Sequence, residues 1–186
     1  MYSAQDYKKG QPRWCPGCGD HFFLANLHKA MAEIGVAPSD TAVISGIGWD
    51  HVNVFPTFDN YLEQFRIFVR TIEPGGCLIY DQTDVEAEKI AQGAQCRTFG
   101  YGVHPFESDG LKTTLLLPDG NRREVGVFGS HNMKNINAAR LVCRQLDVTD
   151  EQFYEAIASF KGAARRLELL FDNGDNFVFR DFAHAP

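Results

Sequence analysis

Between Thr41 and Tyr101 the chain alternates apolar runs with amphipathic stretches, and this alternation is its strongest constraint on fold. Thr41 to Ile47 is an apolar run that ends in the turn Ser45-Gly46-Ile47-Gly48. Phe58 to Ile72 places Tyr61, Leu62, Phe65, Phe68 and Val69 on one helical face. Asp59 in its first turn and Arg66 and Arg70 near its end suit a helix dipole. Pro74-Gly75-Gly76 stops that helix, Cys77 to Tyr80 reads as a strand, Val85 to Gln92 as a short helix and Cys96 to Tyr101 as another strand. Strand, helix, strand, helix, strand is the rhythm of a parallel sheet with right-handed crossovers. Ligands of such sheets collect beyond the carboxyl ends of the strands, where Asp50, His51 and Asp81 fall.

On either side the pattern differs. His104-Pro105-Phe106 reads as a loop. Lys112 to Leu117 and Arg122 to Phe128 flank Pro118-Asp119-Gly120-Asn121, a hairpin turn. Gly129-Ser130-His131-Asn132 leads into a helix from Met133 to about Leu146, with Ala138, Ala139, Leu141, Val142 and Leu146 toward a core. Thr149 and Gln152 form a capping box for a further helix ending near Phe160, and Asp172-Asn173-Gly174 centres a second hairpin. At the other end, Met1 to Asp40 holds a polar arm, the pair Cys15-Pro16-Gly17-Cys18 and a helical run from Phe22 to Ile34, closed by Gly35. The sum is a mixed α/β fold with three or four mainly parallel strands, two antiparallel hairpins and four to five flanking helices.

Charge and cysteine content narrow the setting. Net charge is −6 with no basic run, which excludes nucleic acid as a partner. No apolar stretch approaches the roughly 20 residues that span a bilayer, so no membrane role is expected. The start of the chain is polar and lacks a signal-peptide apolar region, and five irregularly spaced cysteines do not make a disulfide framework. A reducing, cytoplasmic location follows as the expectation.

Four groups of polar residues carry chemistry. Cys15 and Cys18 can ligate a soft metal or an iron–sulfur cluster, yet they supply two ligands where four are usual. A reactive dithiol and a vestige are the alternatives. Asp50-His51 can hold a hard cation, or His51 can simply be hydrogen-bonded in a loop. Asn132, Asn135 and Asn137 crowd one helix start, where carboxamides cap N–H groups or read the donor and acceptor edge of a base. Arg165 and Arg166 can grip phosphate, or stand in solvent as a charged pair.

Two resemblances bring these groups together. Residues about 5 to 48, through Arg13-Trp14-Cys15-Pro16-Gly17-Cys18-Gly19-Asp20, His28-Lys29-Ala30 and Ile44-Ser45-Gly46-Ile47-Gly48, resemble the start of a 2-oxoacid:ferredoxin oxidoreductase β subunit. That family binds thiamine diphosphate and a four-iron cluster. The resemblance makes Cys15 and Cys18 vestigial cluster ligands, because the family's third ligand position is Trp49 here and its magnesium–diphosphate motif has no counterpart. Neither iron–sulfur cluster nor thiamine diphosphate is expected to bind.

Residues about 44 to 186 resemble the Mur ligases, within that family the ligase joining UDP-N-acetylmuramate to L-alanyl-γ-D-glutamyl-meso-diaminopimelate. The residues concerned are Trp49-Asp50-His51-Val52-Asn53-Val54-Phe55-Pro56, Gly129-Ser130-His131-Asn132-Met133-Lys134-Asn135, Phe160-Lys161-Gly162-Ala163-Ala164-Arg165-Arg166-Leu167-Glu168 and Asp181-Phe182-Ala183-His184-Ala185-Pro186. By resemblance, His51 is a magnesium ligand, Asn132 and Asn135 contact the adenine of ATP, Arg166 contacts nucleotide phosphate and Asp181 the ribose. The family's reaction runs through an acyl phosphate attacked by an amine, with Mg-ATP as cofactor and a UDP-muramyl substrate.

The chain departs from that pattern in lacking a Gly-x-x-x-x-Gly-Lys-Ser/Thr loop, which lies upstream of the histidine motif in the family. No catalytic set is intact. The expected organisation is therefore chimeric: an oxidoreductase-like segment at 1–48, the latter part of a Mur-ligase central domain at 49–180, and the start of a C-terminal domain at 181–186. The expected function is nucleotide binding without turnover, with a non-functional chimera and an oxidoreductase fragment as alternatives. Self-association through exposed apolar surface is expected too.

Overall fold

The structure is a computed structural model and describes residues 3, 5, 40–49, 52–110, 112–162 and 168–180. The helical run expected between Phe22 and Gly35 lies outside them. Among the described residues, three parallel strands, a three-stranded antiparallel sheet, one hairpin and four helices form two compact units.

The first unit takes the described residues up to His104 together with Ser130–Phe153. Its sheet runs β1 (Thr41–Ile44), β2 (Cys77–Asp81), β3 (Arg97–Tyr101) in that spatial order, all parallel. Helix α1 (Phe58–Arg70) joins β1 to β2, and α2 (Val85–Gln92) joins β2 to β3. Strand side chains alternate between faces, and both faces are covered. Ala42, Ile44 and Leu78 pack with Leu62 and Val69 of α1 and with Ala87, Ile90 and Ala91 of α2. Ile79, Tyr101 and Phe99 point the other way, onto Ala138, Leu141 and Val142 of α3 (Ser130–Gln145). Leu78 and Ile79 are wholly buried, as expected where a parallel strand is buried on both faces. Full burial of each such side chain contributes about 2 kcal/mol.

Capping defines the helix starts. Thr57 accepts from the Asn60 N–H at the head of α1, and Asp84 accepts from the N–H groups of Glu86 and Ala87 at the head of α2. At α4 (Asp150–Ile157) the expected capping box is present: Gln152 Oε1 accepts from Thr149 N at 2.9 Å, and Thr149 Oγ1 from Gln152 N at 3.2 Å. Arg140 of α3 reaches Asp150 with two bonds of 3.0 and 2.5 Å.

The second unit takes Pro105–Gly129 and the residues from Tyr154 onward. Strands β4 (Phe106–Asp109), β5 (Lys112–Leu116) and β6 (Arg122–Val125) form an antiparallel sheet in chain order. Thr113 and Leu115 are buried on one face, with Val125 directly opposite Thr113. The β5–β6 turn is Pro118-Asp119-Gly120-Asn121, held by Leu117 N to Asn121 O at 2.9 Å, with Gly120 at φ 84°. Strands β7 (Glu168–Asp172) and β8 (Phe177–Arg180) make the second hairpin, and Asn173 Oδ1 accepts from Asn176 N inside its turn.

Several expectations are corrected. Phe106 is the first residue of a strand rather than part of a loop, because the 106–109 backbone pairs with β5. Helix α3 starts at Ser130, three residues before Met133, so Asn132 sits inside the helix. Ala139 faces solvent, and Met133 and Ile136 fill the core positions instead. The strand beginning at Thr41 ends at Ile44, although Ile47 stays buried.

Candidate functional site at the strand ends

Among the described residues, several multiply bonded polar side chains of the first unit gather at the carboxyl ends of β1 and β2. Asp81 ends β2 and is 4% exposed. A carboxylate this deep must be paired, since an isolated buried charge is strongly unfavourable. Its Oδ1 accepts from the backbone N–H of Thr83 at 2.9 Å and from the Thr83 hydroxyl at 2.7 Å. Its Oδ2 accepts from Lys134 Nζ at 2.7 Å, and the same ammonium donates to Thr83 Oγ1 at 2.6 Å. Acid, hydroxyl and ammonium thus close a ring between β2 and α3. Burial alone raises the Asp81 pKa, but the bonds from Lys134 and Thr83 outweigh it and hold the carboxyl below its ordinary value. Nearby, burial and the charge of Asp81 push the Tyr101 hydroxyl up to about 12, so it stays protonated.

Three further ties fasten α3 and the loops to this end of the sheet. Asn137 Nδ2 donates to the carbonyl of Gly102, just past β3, at 3.1 Å. His104 N donates to the Met133 carbonyl at 3.3 Å. Asp84 caps α2 with Oδ1 and accepts from Ile47 N with Oδ2 at 2.7 Å, so one carboxylate fixes both a helix start and the exit from β1. Beyond that exit, Trp49 Nε1 donates to the Phe55 carbonyl at 3.1 Å, and its ring lies 6.3 Å from Phe58. The Asp50-His51 pair, between Trp49 and Phe55 in sequence, lies outside the described residues.

Of the residues singled out from sequence, Asn132 and Asn135 are described; Cys15, Cys18, His51, Arg166 and Asp181 are not. Asn132 and Asn135 lie three residues apart near the start of α3, a spacing that places them side by side on one helix face. Asn132 is half-buried and Asn135 exposed. A carboxamide offers one acceptor and two donors, which match the N6 amino group and ring nitrogens of adenine. Asn137, grouped with them in sequence, serves instead to bind α3 to Gly102.

Sequence reading missed Lys134, Thr83 and the double role of Asp84. The usable signal was Asp81-x-Thr83 at a strand end, a pattern whose side chains bond their own turn, together with one lysine among asparagines. Among the described residues no three His, Cys, Asp or Glu side chains converge on a metal position. Both oxygens of Asp81 are engaged by Lys134 and Thr83. Cys77, Cys96 and Cys143 are free thiols.

A concavity of about 310 Å³ lies elsewhere, between α1 and α2, beside the residues that lead into β2 and β3. Its cations are matched by acids: Arg66 and Arg70 each meet Glu63 at 3.3 Å, and Lys89 meets Glu86 at 2.6 Å.

The profile of the Mur ligase middle domain matches residues 25–143. The UDP-N-acetylmuramate–L-alanine ligase of Roseiflexus sp. (strain RS-1) is 29% identical over 175 residues, covering 79% of this chain and 37% of that protein. Among solved structures, MurF from Acinetobacter baumannii superimposes with a TM-score of 0.63 at 24% identity, over 78% of this chain and 34% of that one. The murein peptide ligase mpl from Psychrobacter arcticus gives a TM-score of 0.55 at 25% identity, over 78% and 32%. The chain spans about a third of the length of the curated relatives it matches. The profile match begins ahead of residue 44 and so includes 25–48, the greater part of the stretch that resembles an oxidoreductase β subunit.

Proposed function

Because the chain belongs to the Mur ligase middle-domain family, we propose that it carries the adenine-binding half of the nucleotide site of an ATP-dependent ligase. The ligase chemistry is the joining of UDP-N-acetylmuramate to an amine, the acceptor being the L-alanyl-γ-D-glutamyl-meso-diaminopimelate tripeptide of the ligase that the motifs resemble. This chain's own part is to bind and orient nucleotide. Asn132 and Asn135 hold the base, while Arg166 and Asp181 meet phosphate and ribose. When bound, Mg-ATP supplies the phosphoryl group that activates the carboxylate, and His51 is the residue that would hold the metal. With no P-loop sequence present, the β- and γ-phosphates lack their usual backbone cradle, so binding is weak and turnover by this chain alone is not expected. A cytoplasmic setting suits its free thiols.

One observation carries the reading. The start of α3, with Asn132 and Asn135 on it, is fastened to the carboxyl ends of β2 and β3 by Lys134 and Asn137. That is where an open parallel sheet receives its ligand, and a side chain that reads a base must be held still to do so.

Calorimetric titration with Mg-ATP tests it. The expected dissociation constant is near millimolar, about −4 kcal/mol. Asn132→Ala and Asn135→Ala should each weaken binding several-fold, as loss of a hydrogen bond worth about 1 kcal/mol does. No heat at several millimolar ATP would remove the proposal. The same reading has the chain self-associate through the β7–β8 hairpin, where Leu169, Leu170, Phe171, Phe177 and Val178 are all exposed. Sedimentation velocity over a tenfold concentration range should then give a rising mean mass, and a constant monomer would exclude it.

A further inference from the structure

We propose that Lys134 is a positioning residue for base recognition: its bonds to Asp81 and Thr83 set the azimuth of α3 at which Asn132 and Asn135 present their carboxamides. The inference rests on the nucleotide reading above and concerns a residue outside the contacts assigned there.

The geometry is specific to this purpose in three ways. Lys134 lies between the two asparagines in sequence, so any rotation of the helix that frees its ammonium carries both carboxamides with it. Its Nζ is shared between Asp81 Oδ2 at 2.7 Å and Thr83 Oγ1 at 2.6 Å, while Thr83 returns its own hydroxyl to Asp81 Oδ1 at 2.7 Å. The three groups therefore have one mutually satisfied arrangement, and charge-assisted bonds of this kind are the short, strong ones. Third, the ring is anchored in the sheet, since Asp81 is buried and is the last residue of β2. Met133 and Ile136 on the same turns are buried and closely packed, and the two bonds of Lys134 add directed polar contacts at the position between the asparagines.

A lysine in this position has an evident competing use, as a direct contact to phosphate. Its ammonium is already committed to two acceptors on the strand end, and its side chain is 30% exposed. The distinction is open to experiment, because a phosphate contact contributes equally to every nucleoside triphosphate. A residue that positions the asparagines contributes to the difference between bases.

The test measures dissociation constants of Mg-ATP and Mg-GTP by calorimetry on the full chain, for the unaltered protein and for Lys134→Met, Lys134→Arg and Thr83→Val. The proposal expects the preference for ATP over GTP to fall at least threefold in Lys134→Met. Lys134→Arg, which keeps a cation able to reach Asp81 and Thr83, should restore most of it. Thr83→Val keeps the ion pair but loses the hydroxyl bonds, so it should give an intermediate loss, and it also serves if Lys134→Met does not fold. An unchanged ATP:GTP ratio in Lys134→Met or in Thr83→Val, whatever happens to thermal stability, would overturn the positioning role. Equal weakening of both nucleotides would instead make Lys134 a phosphate contact and likewise overturn it. If the unaltered chain binds neither nucleotide, the nucleotide reading itself fails and this role falls with it. Binding that survives in the unaltered chain and is indifferent to residue 134 removes this inference alone.

Discussion

At the scale of single residues, two carboxylates make the protein's stability depend on pH. Hydrogen bonds from Arg140 hold Asp150 below its ordinary pKa, and bonds from Lys134 and Thr83 do so for Asp81 against the opposing effect of burial. A lowered pKa in the folded state means that the unfolded chain takes up protons first as pH falls. The stabilisation is complete above the unfolded value, about 4, and is lost as pH drops through the folded values. Thermal midpoints should therefore be flat from about pH 5 to 7 and fall below about 4. The variant with Asp81→Asn and Asp150→Asn together should show a shallower fall; an equally steep one would assign the acid sensitivity to other groups. The Asp81 pair also explains why a lysine belongs on the inner side of α3. Removing one partner of a nearly buried ion pair leaves a charge uncompensated, which costs about 3 kcal/mol or more.

At the scale of elements, Asp84 does the work of two residues. It caps α2 through Glu86 and Ala87 and holds the exit from β1 through Ile47. An ordinary cap replaced by alanine costs about 1 kcal/mol, and loss of the Ile47 bond adds a comparable amount. Asp84→Ala should thus destabilise the chain by about 2 kcal/mol in urea unfolding, against about 1 kcal/mol for Thr57→Ala, which removes a cap alone. Equal costs would mean that the Ile47 contact contributes nothing. Periodicity made most elements legible, because α1 and α2 each turn an apolar face to the core and β2 is buried along its length, and Gly, Pro or Asp marks their ends. The capping box at Thr149 and both hairpin turns were legible for the same local reason. Strand β4 was not: Phe106-Glu107-Ser108-Asp109 has little apolar pattern, and only pairing with β5 makes it a strand. The start of α3 was set too late because asparagine, serine and histidine read as a cap rather than as a first turn.

At the scale of the whole molecule, the sequence points to the strand ends as the candidate site but not to what organises them. Asp81 was placed there by the alternation of strands and helices. Its partner Lys134 is 53 residues away, and no local pattern can predict a contact across that distance. The family motifs point to the asparagines, and α3, which carries them, is fixed by Lys134 and Asn137 to the ends of two different strands. The family profile starts at residue 25, after the cysteine pair Cys15 and Cys18, and the proposed nucleotide assignment does not depend on that pair. The measurement that tests that assignment most directly is a titration of isotope-labelled protein with Mg-ATP, following backbone amides and asparagine side-chain amides by NMR. The account predicts saturable shifts at the Asn132 and Asn135 carboxamides, with smaller ones at Thr83, Lys134 and Gly102. Shifts confined to the concavity around Arg66 and Lys89, or none at several millimolar ATP, would contradict it.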